Sequence, residues 1–343
     1  MLFRSYKNIK IYNLSPEQSN ILKQTALSVG ADCGTHREVI KGGIAKSNAI
    51  LGGSYSQLLK ISEKLARQPF GLKILSKQIQ NFLIPKKSKT KIVGILNITP
   101  DSFSDGGMYL NIKDAEKHLF QLIEEGADMI DIGAESTRPF STGVSSDEQI
   151  ERLTPILKLI KKENITIPVS IDTRSSVVAE CALDYGVQII NDVSGFDFDS
   201  NMPKIIAKYK AGAIIQHSQG TPDNMQISPH YENLIDDIFF SLRKKIEYAQ
   251  NIGIKNIIAD VGIGFGKTKN DNFELLNRIE EFYSLNTPIM AGVSRKSLIC
   301  ANDCNNDIKD ALTLAISYPL IQKNIHYLRV HNVKLHKLLT NLL

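Results

Sequence analysis

Eight short apolar runs, spaced through the last three-quarters of the chain, constrain its fold more than any other feature. They are Ile92–Asn97, Met129–Ala134, Val169–Asp172, Ile189–Val193, Ala213–His217, Ile257–Val261, Ile289–Val293 and Leu328–His331. Between them lie stretches with helical spacing, such as Ala115–Glu125, Asp147–Lys162 and Tyr231–Asn251. Apolar strands alternating with helical patterns indicate a parallel sheet with crossover helices. A doubly wound open sheet is one solution. Eight full repeats in about 250 residues favour closure into a (β/α)8 barrel, and no solenoid-type repeat competes.

The first 91 residues are different. They carry 16 Lys/Arg against 4 Asp/Glu, while the remainder carries 25 against 32, so a net charge of +5 hides a basic segment and an acidic one. The break falls at Ile84–Lys91, where one proline and four lysines in eight residues read as an exposed linker. This divides the chain into a small α/β module (1–84), a linker (85–91) and the barrel (92–343). In the module, Asn8–Tyr12 and Ser47–Leu51 read as strands. Ser15-Pro16-Glu17-Gln18 supplies an N-cap, a proline at the first helical position and a capping-box glutamine for a helix to about Val29. Gln57–Arg67 and Leu72–Leu83 read as helices. Asp32, His36, Arg37 and Glu38 form a polar cluster in a Gly-containing stretch, taken as a structured loop rather than a binding site. The basic residues are dispersed and no nucleic-acid motif accompanies them, which argues against a nucleic-acid partner. Apolar residues make up 42% of the chain, but no run is long enough to cross a bilayer and the N-terminus lacks a secretory pattern, so the expected location is the cytoplasm. The four scattered cysteines (33, 181, 300 and 304) are expected to be reduced, and none belongs to a zinc-site pattern.

The chemistry collects at the strand ends. The runs lead in turn to Asn97, to Glu135-Ser136-Thr137-Arg138-Pro139, and to Asp172, Asn191-Asp192 and His217. The last three lead to Asp260 before a Gly-rich loop, to Ser294-Arg295-Lys296-Ser297, and to Arg329 and His331. In a barrel these points share one rim, where barrel enzymes place catalysis. One polar strand end is an exposed loop residue; eight together point to a site. Asp172, Asn191 and Asp260 suit a flat heterocycle with donors and acceptors along its edge. Arg138, Lys296, Arg329 and His331 suit a phosphate or diphosphate. Asn97 offers an oxygen to Mg²⁺, which prefers phosphates and few protein ligands. The Ser294–Ser297 segment is expected to open a helix whose free N–H groups hold a carboxylate.

The residues Val93-Gly94-Ile95-Leu96-Asn97-Ile98-Thr99-Pro100-Asp101-Ser102-Phe103-Ser104-Asp105-Gly106-Gly107 and Asp131-Ile132-Gly133-Ala134-Glu135-Ser136-Thr137-Arg138-Pro139 resemble the two long signatures of dihydropteroate synthases. Ser170–Thr173, Asn191–Gly195, Gln219–Pro222, the Asp260 loop, Ser294–Ser297 and Arg329–His331 follow in the family's order, so the resemblance covers about residues 91–343. It implies a barrel that condenses 6-hydroxymethyl-7,8-dihydropterin diphosphate with 4-aminobenzoate, usually as a homodimer and with sulfonamide sensitivity. By matching position, Asp172, Asn191, Asp260 and Lys296 hold the pterin. Asn97 ligates Mg²⁺ on the diphosphate, which Arg329 and His331 grip, and Val330 is a further substrate-binding position. Thr137 and Arg138 lie on the second substrate loop, and Phe103, Pro139, Phe265 and Ser297 frame the aminobenzoate. Asp172, Lys296 and Arg138 are the expected catalytic residues.

The sequence departs from the family at Gln216 and Ser218, where Met is usual. It departs also at Val261 and Ile263 for Pro and Phe, at Asn332 for Asp and at Ala134 for Gly. Two other readings share the fold: a methyltetrahydrofolate-type pterin-binding methyltransferase and a non-catalytic pterin-binding scaffold. The Asn97–Gly107 and Ser136–Pro139 loops argue against the first. Intact Asn97, Asp172, Lys296, Arg329 and His331 argue against the second.

Overall fold

The computed structural model describes residues 6–83, 89–98, 107–135, 143–220, 228–296, 298–299 and 304–343, without the side chains of 107–111. The chain divides into two compact units, 1–87 and 88–343.

In the first unit the elements are β1 (Tyr6–Leu14), α1 (Pro16–Leu27), β2 (Asp32–Thr35), β3 (Ser47–Ser54), α2 (Tyr55–Leu65) and α3 (Leu72–Leu83). The sheet is antiparallel in the order β1-β3-β2. The Ser15 capping box forms: Gln18 N–H donates to Ser15 Oγ at 3.2 Å and Ser15 N–H to Gln18 Oε1 at 2.8 Å. Leu22, Leu51, Leu58, Ile61, Leu65 and Leu72 make the core. The polar cluster is not a loop throughout. Asp32 opens β2, which pairs with β3, and the Asp32 carboxylate accepts from the Tyr6 hydroxyl at 3.1 Å. A four-residue strand with two polar ends carries almost no periodic signal; its partner, 15 residues further on, makes it a strand. His36 caps a 3-10 turn, its Nδ1 accepting from Glu38 N–H at 3.3 Å.

The second unit is a closed parallel barrel. Its strands are β4 (Lys91–Asn97), β5 (Met129–Gly133), β6 (Val169–Asp172), β7 (Ile189–Asp192), β8 (Gly212–Gln216), β9 (Ile257–Asp260), β10 (Ile289–Gly292) and β11 (Tyr327–Val330). The intervening helices are α4 (Gly107–Glu124), α5 (Ser146–Lys162), α6 (Ser176–Asp184), α7 (Met202–Lys208), α8 (Leu234–Asn251), α9 (Lys269–Asn277) and α10 (Asn306–Gln322); α11 (Val333–Leu342) follows the last strand. Every strand lies within a residue or two of an apolar run. Alternation decides what each residue does. Outward residues such as Ile92, Leu96, Ile130, Ile132, Ile171 and Ile190 pack against the helices. Inward residues Val93, Met129, Ile214, Ile258 and Met290 form an apolar plug in the lower barrel. Above the plug the inward positions turn polar.

Near β10 one expectation fails, and another falls partly outside the described residues. No helix opens at Ser294–Ser297 among the described residues: Ser294 and Arg295 form a turn, and Arg295 has φ +55°, outside helical space. The next helix starts at Asn306, where Asn305 Oδ1 caps the Ile308 N–H at 2.9 Å. Cys304 is disulfide-bonded, whereas Cys33 and Cys181 are free thiols. Pairing follows the spatial separation of two cysteines, which their sequence spacing does not show.

Candidate active site

Parallel register brings the strand ends abreast. Asn97 pairs with Gly133, Gly133 with Asp172, and Asp172 with Asn191. Gln216 pairs with Asp260, and Gly292 with Arg329. These eight inward residues ring the mouth. The two glycines keep it open: a Cβ on Gly133 would lie 3.6 Å from Asn97 Oδ1 and from Asp172 Cβ, and one on Gly292 would lie 4.0 Å from Asp260 Oδ2.

On one side of the mouth sits a carboxylate corner. Arg329 Nε donates to Asp131 Oδ2 at 2.5 Å and Nη2 to Asp172 Oδ2 at 2.8 Å. Asp131 also accepts from Ser170 Oγ at 2.6 Å and Asn191 Nδ2 at 3.0 Å. Burial pushes the Asp172 carboxyl up to about 7; the Arg329 guanidinium opposes this, and Asp131 and Glu135 add to it. Asp172 Oδ1 is buried with no partner among the described residues. An orphaned acceptor at the centre of the mouth is a place for a ligand's N–H. Sequence reasoning quoted Asp131 without giving it a role. The signal was there: a charged residue at an inward position, two residues below the strand end.

On the opposite side the backbone does the holding. Asp260 Oδ1 accepts from Gly262 N–H at 2.7 Å. The loop that follows winds around the ammonium of Lys267, which donates to Gly262 O and Phe265 O at 2.9 Å each and meets His217 Nδ1 at 3.0 Å. Gly262 must be glycine: its φ is +69°, and a Cβ would lie 1.8 Å from His217 O. Lys267 is the second residue here to which sequence reasoning gave no role. It ends the glycine loop and is 2% exposed. Burial pulls its amine down to about 7, and burial with the Lys267 charge keeps His217 neutral. On the loop's other face Lys296 donates to Ile263 O and lies 4.4 Å from the Phe265 ring centre. Burial pulls its ammonium down to about 8, partly offset by Asp260 and Asp172.

Of the expected site residues, Asn97, Asp172, Asn191, Asp260, Phe265, Lys296, Arg329 and His331 therefore meet at one rim. His331 N–H and Nδ1 contact Ser294 Oγ at 3.1 and 2.9 Å. Val330 is a correction: alternation turns it outward, and its side chain is wholly buried among the helices, away from the site. Phe103, Thr137, Arg138, Pro139 and Ser297 lie outside the described residues. Of the departures, Val261 and Ile263 are buried core positions and Ala134 is buried beneath the rim. Gln216 donates to Val193 O at 3.3 Å, an anchor that a thioether cannot supply.

A buried row of Asp, Asn and Asp beside a lysine suits a heterocycle edge, and the family comparison agrees. The description "Pterin binding enzyme" matches residues 93–331. The chain belongs to the pterin binding enzymes. Within that family it is 44% identical to the dihydropteroate synthase of Clostridium beijerinckii, over 71% of this chain and 90% of the relative. A second relative, the bifunctional dihydropteroate synthase/dihydropteroate reductase of Helicobacter pylori, is 34% identical over 95% of this chain and 87% of its own. Among solved pterin-binding structures, a Clostridium difficile dihydropteroate synthase crystallised with pteroic acid superposes with a TM-score of 0.69. It shares 38% identity over 76% of this chain and 97% of that one.

Proposed function

We infer that this chain works as a dihydropteroate synthase, joining 6-hydroxymethyl-7,8-dihydropterin diphosphate to 4-aminobenzoate with release of diphosphate. The observation that carries the reading is the buried polar floor of Asp172, Asn191, Asp260 and Lys296, with Asp172 Oδ1 left without a partner. The carboxylates accept the ring N–H groups, the Asn191 amide both donates and accepts, and Lys296 donates to ring acceptors. The C–O bond of the pterin methylene breaks, its electron pair leaving with the diphosphate. The arylamine nitrogen forms the C–N bond and loses a proton to water. Positive charge growing on the pterin is balanced by Asp172 in its ionised form. Arg329, fixed by Asp131 and Asp172, presents a preorganised cation at the rim, and His331 and Arg138 complete the anion site. Phe103, Pro139, Phe265 and Ser297 frame the aminobenzoate. No enzyme nucleophile is needed: displacement is dissociative, without a covalent enzyme intermediate.

Asn97 fits a magnesium ion that arrives with its diphosphate. Its neutral Oδ1 stands at the inner end of β4, opposite Gly133, which brings no side chain of its own. When bound, Mg²⁺ neutralises the leaving diphosphate, a ligand set of phosphate oxygens plus one protein oxygen. A homodimer belongs to the same reading and is measured by light scattering.

Diphosphate release should require both the pterin diphosphate and 4-aminobenzoate, and a sulfonamide should compete with the latter. Pure, folded, Mg²⁺-supplied protein that releases no diphosphate would sink the synthase reading. The Helicobacter relative, whose likeness spans 95% of this chain, is named for a second activity that is worth testing here. That activity is two-electron reduction of dihydropteroate, with a reduced flavin or nicotinamide as hydride donor. Loss of dihydropteroate that depends on such a donor, in the full chain, tests it.

A further inference from the structure

Lys296 and His331 stand on two different rim segments, the turn after β10 and the end of β11. Both segments are tied to one buried carboxylate on α10. Asp310, 5% exposed, accepts from Arg295 Nε at 2.7 Å, from Arg295 Nη2 at 2.8 Å and from Asn332 Nδ2 at 3.1 Å. Arg295 N–H also donates to Thr313 Oγ1, one helical turn beyond Asp310, at 3.2 Å. The backbone of Arg295 is left-handed at φ +55°, a conformation a non-glycine residue holds only when its surroundings enforce it. A two-pronged ion pair and a backbone bond onto the same helix supply that enforcement. On the other segment, Asn332 uses both ends of its amide: Oδ1 caps α11 through the Leu335 N–H at 3.1 Å while Nδ2 reaches Asp310. A carboxylate at 332 would cap the helix equally well but would face Asp310 charge against charge.

We propose that Asp310 is a positioning residue for this active site, bracing the Ser294–Lys296 turn against the end of β11. It thereby sets the separation of Lys296 from Arg329 and His331. The brace sits behind the rim, so its loss changes how the pterin diphosphate is gripped more than whether the barrel folds. Asn332 belongs to the same device, as the amide that tells Asp310 which way to face.

The proposal rests on the synthase reading, and the test separates the two. The wild-type chain is assayed first for diphosphate release; inactivity there would fail the synthase reading. The brace would then be judged by direct binding of 6-hydroxymethylpterin to the same variants. Three variants are compared: Asp310→Asn, Asn332→Asp, and the two together. Each single change should lower kcat/KM for the pterin diphosphate about tenfold, chiefly through KM, while thermal unfolding stays one cooperative step. The double variant removes the charge clash of Asn332→Asp and keeps a contact across 3.1 Å, but not the fork to Arg295, so it should surpass Asn332→Asp and stay no better than Asp310→Asn. Arg295→Lys, which keeps the charge but not the fork, covers the case of a misfolded Asp310→Asn and should show the same rise in KM. Wild-type KM in the folded single variants, or a double variant with wild-type KM, would overturn the proposal.

Discussion

The two sides of the barrel mouth solve the same problem with different materials. The carboxylate corner is built of side chains: two aspartates share one arginine, and serine and asparagine donate to Asp131. The opposite side is built of backbone: carbonyls of a glycine loop close around Lys267 inside and Lys296 outside. Side-chain charge pairs in a buried place are unforgiving, because removing one member strands the other without solvent. A backbone cage is more tolerant, because its carbonyls can turn toward water when the cation goes. The corner should therefore govern stability, and the loop should govern ligand grip.

The sharpest break in that contrast is at Lys296, which reaches from the turn after β10 to the loop's outer face. Lys296→Ala should lower kcat/KM by on the order of 10²–10³-fold with an unchanged circular dichroism spectrum. Full activity would show that the site is misplaced. Next in size, Asp131→Ala leaves Arg329 with Asp172 alone and should cost about 3–5 kcal/mol in urea unfolding. A loss under about 1 kcal/mol would put the corner no higher than a surface pair. Lys267→Met keeps the volume and removes the donors. It should raise KM for the pterin substrate roughly tenfold and cost less stability than Asp131→Ala. If the order of those two stability losses reverses, the contrast between the sides is wrong.

The smallest effect is on pH. With Asp172 near 7 and Lys296 near 8, acid protonates the carboxylate and alkali neutralises the ammonium. Both changes remove a needed charge, so kcat/KM for the pterin substrate should fall below about pH 7 and above about pH 8. Asp172→Asn should retain whatever activity it has without the acidic limb. An unchanged acidic limb in that variant would assign it to another group.

The barrel was legible because its signals are local. Strand alternation and helix spacing are properties of five to fifteen consecutive residues, and the inward polar ends from Asn97 to Arg329 were visible in their own runs, except that His217 was read as the end of β8 where Gln216 stands. The small unit was legible where a capping box announced Ser15 and illegible at β2, whose four residues carry no period. In the site, Asp260 and Lys296 were found by their positions at strand ends. Lys267 and Asp131 were given no role, because nothing local to Lys267 shows that the loop buries it and Asp131 stood only as part of a signature.

By itself, then, the sequence determined the repeat of strands and helices, the ring of polar ends and the family they resemble. Only the tertiary structure decided which charges meet. Arg329 and Asp131 lie 198 residues apart and touch because the last strand closes against the first. Arg295 leaves helical space because Asp310 and Thr313, on a helix that starts eleven residues later, hold it there. Val330 turns away from the site because its neighbours on the strand turn in. Pairing across a closed barrel depends on register and parity among all eight strands, and no single stretch of chain carries that information.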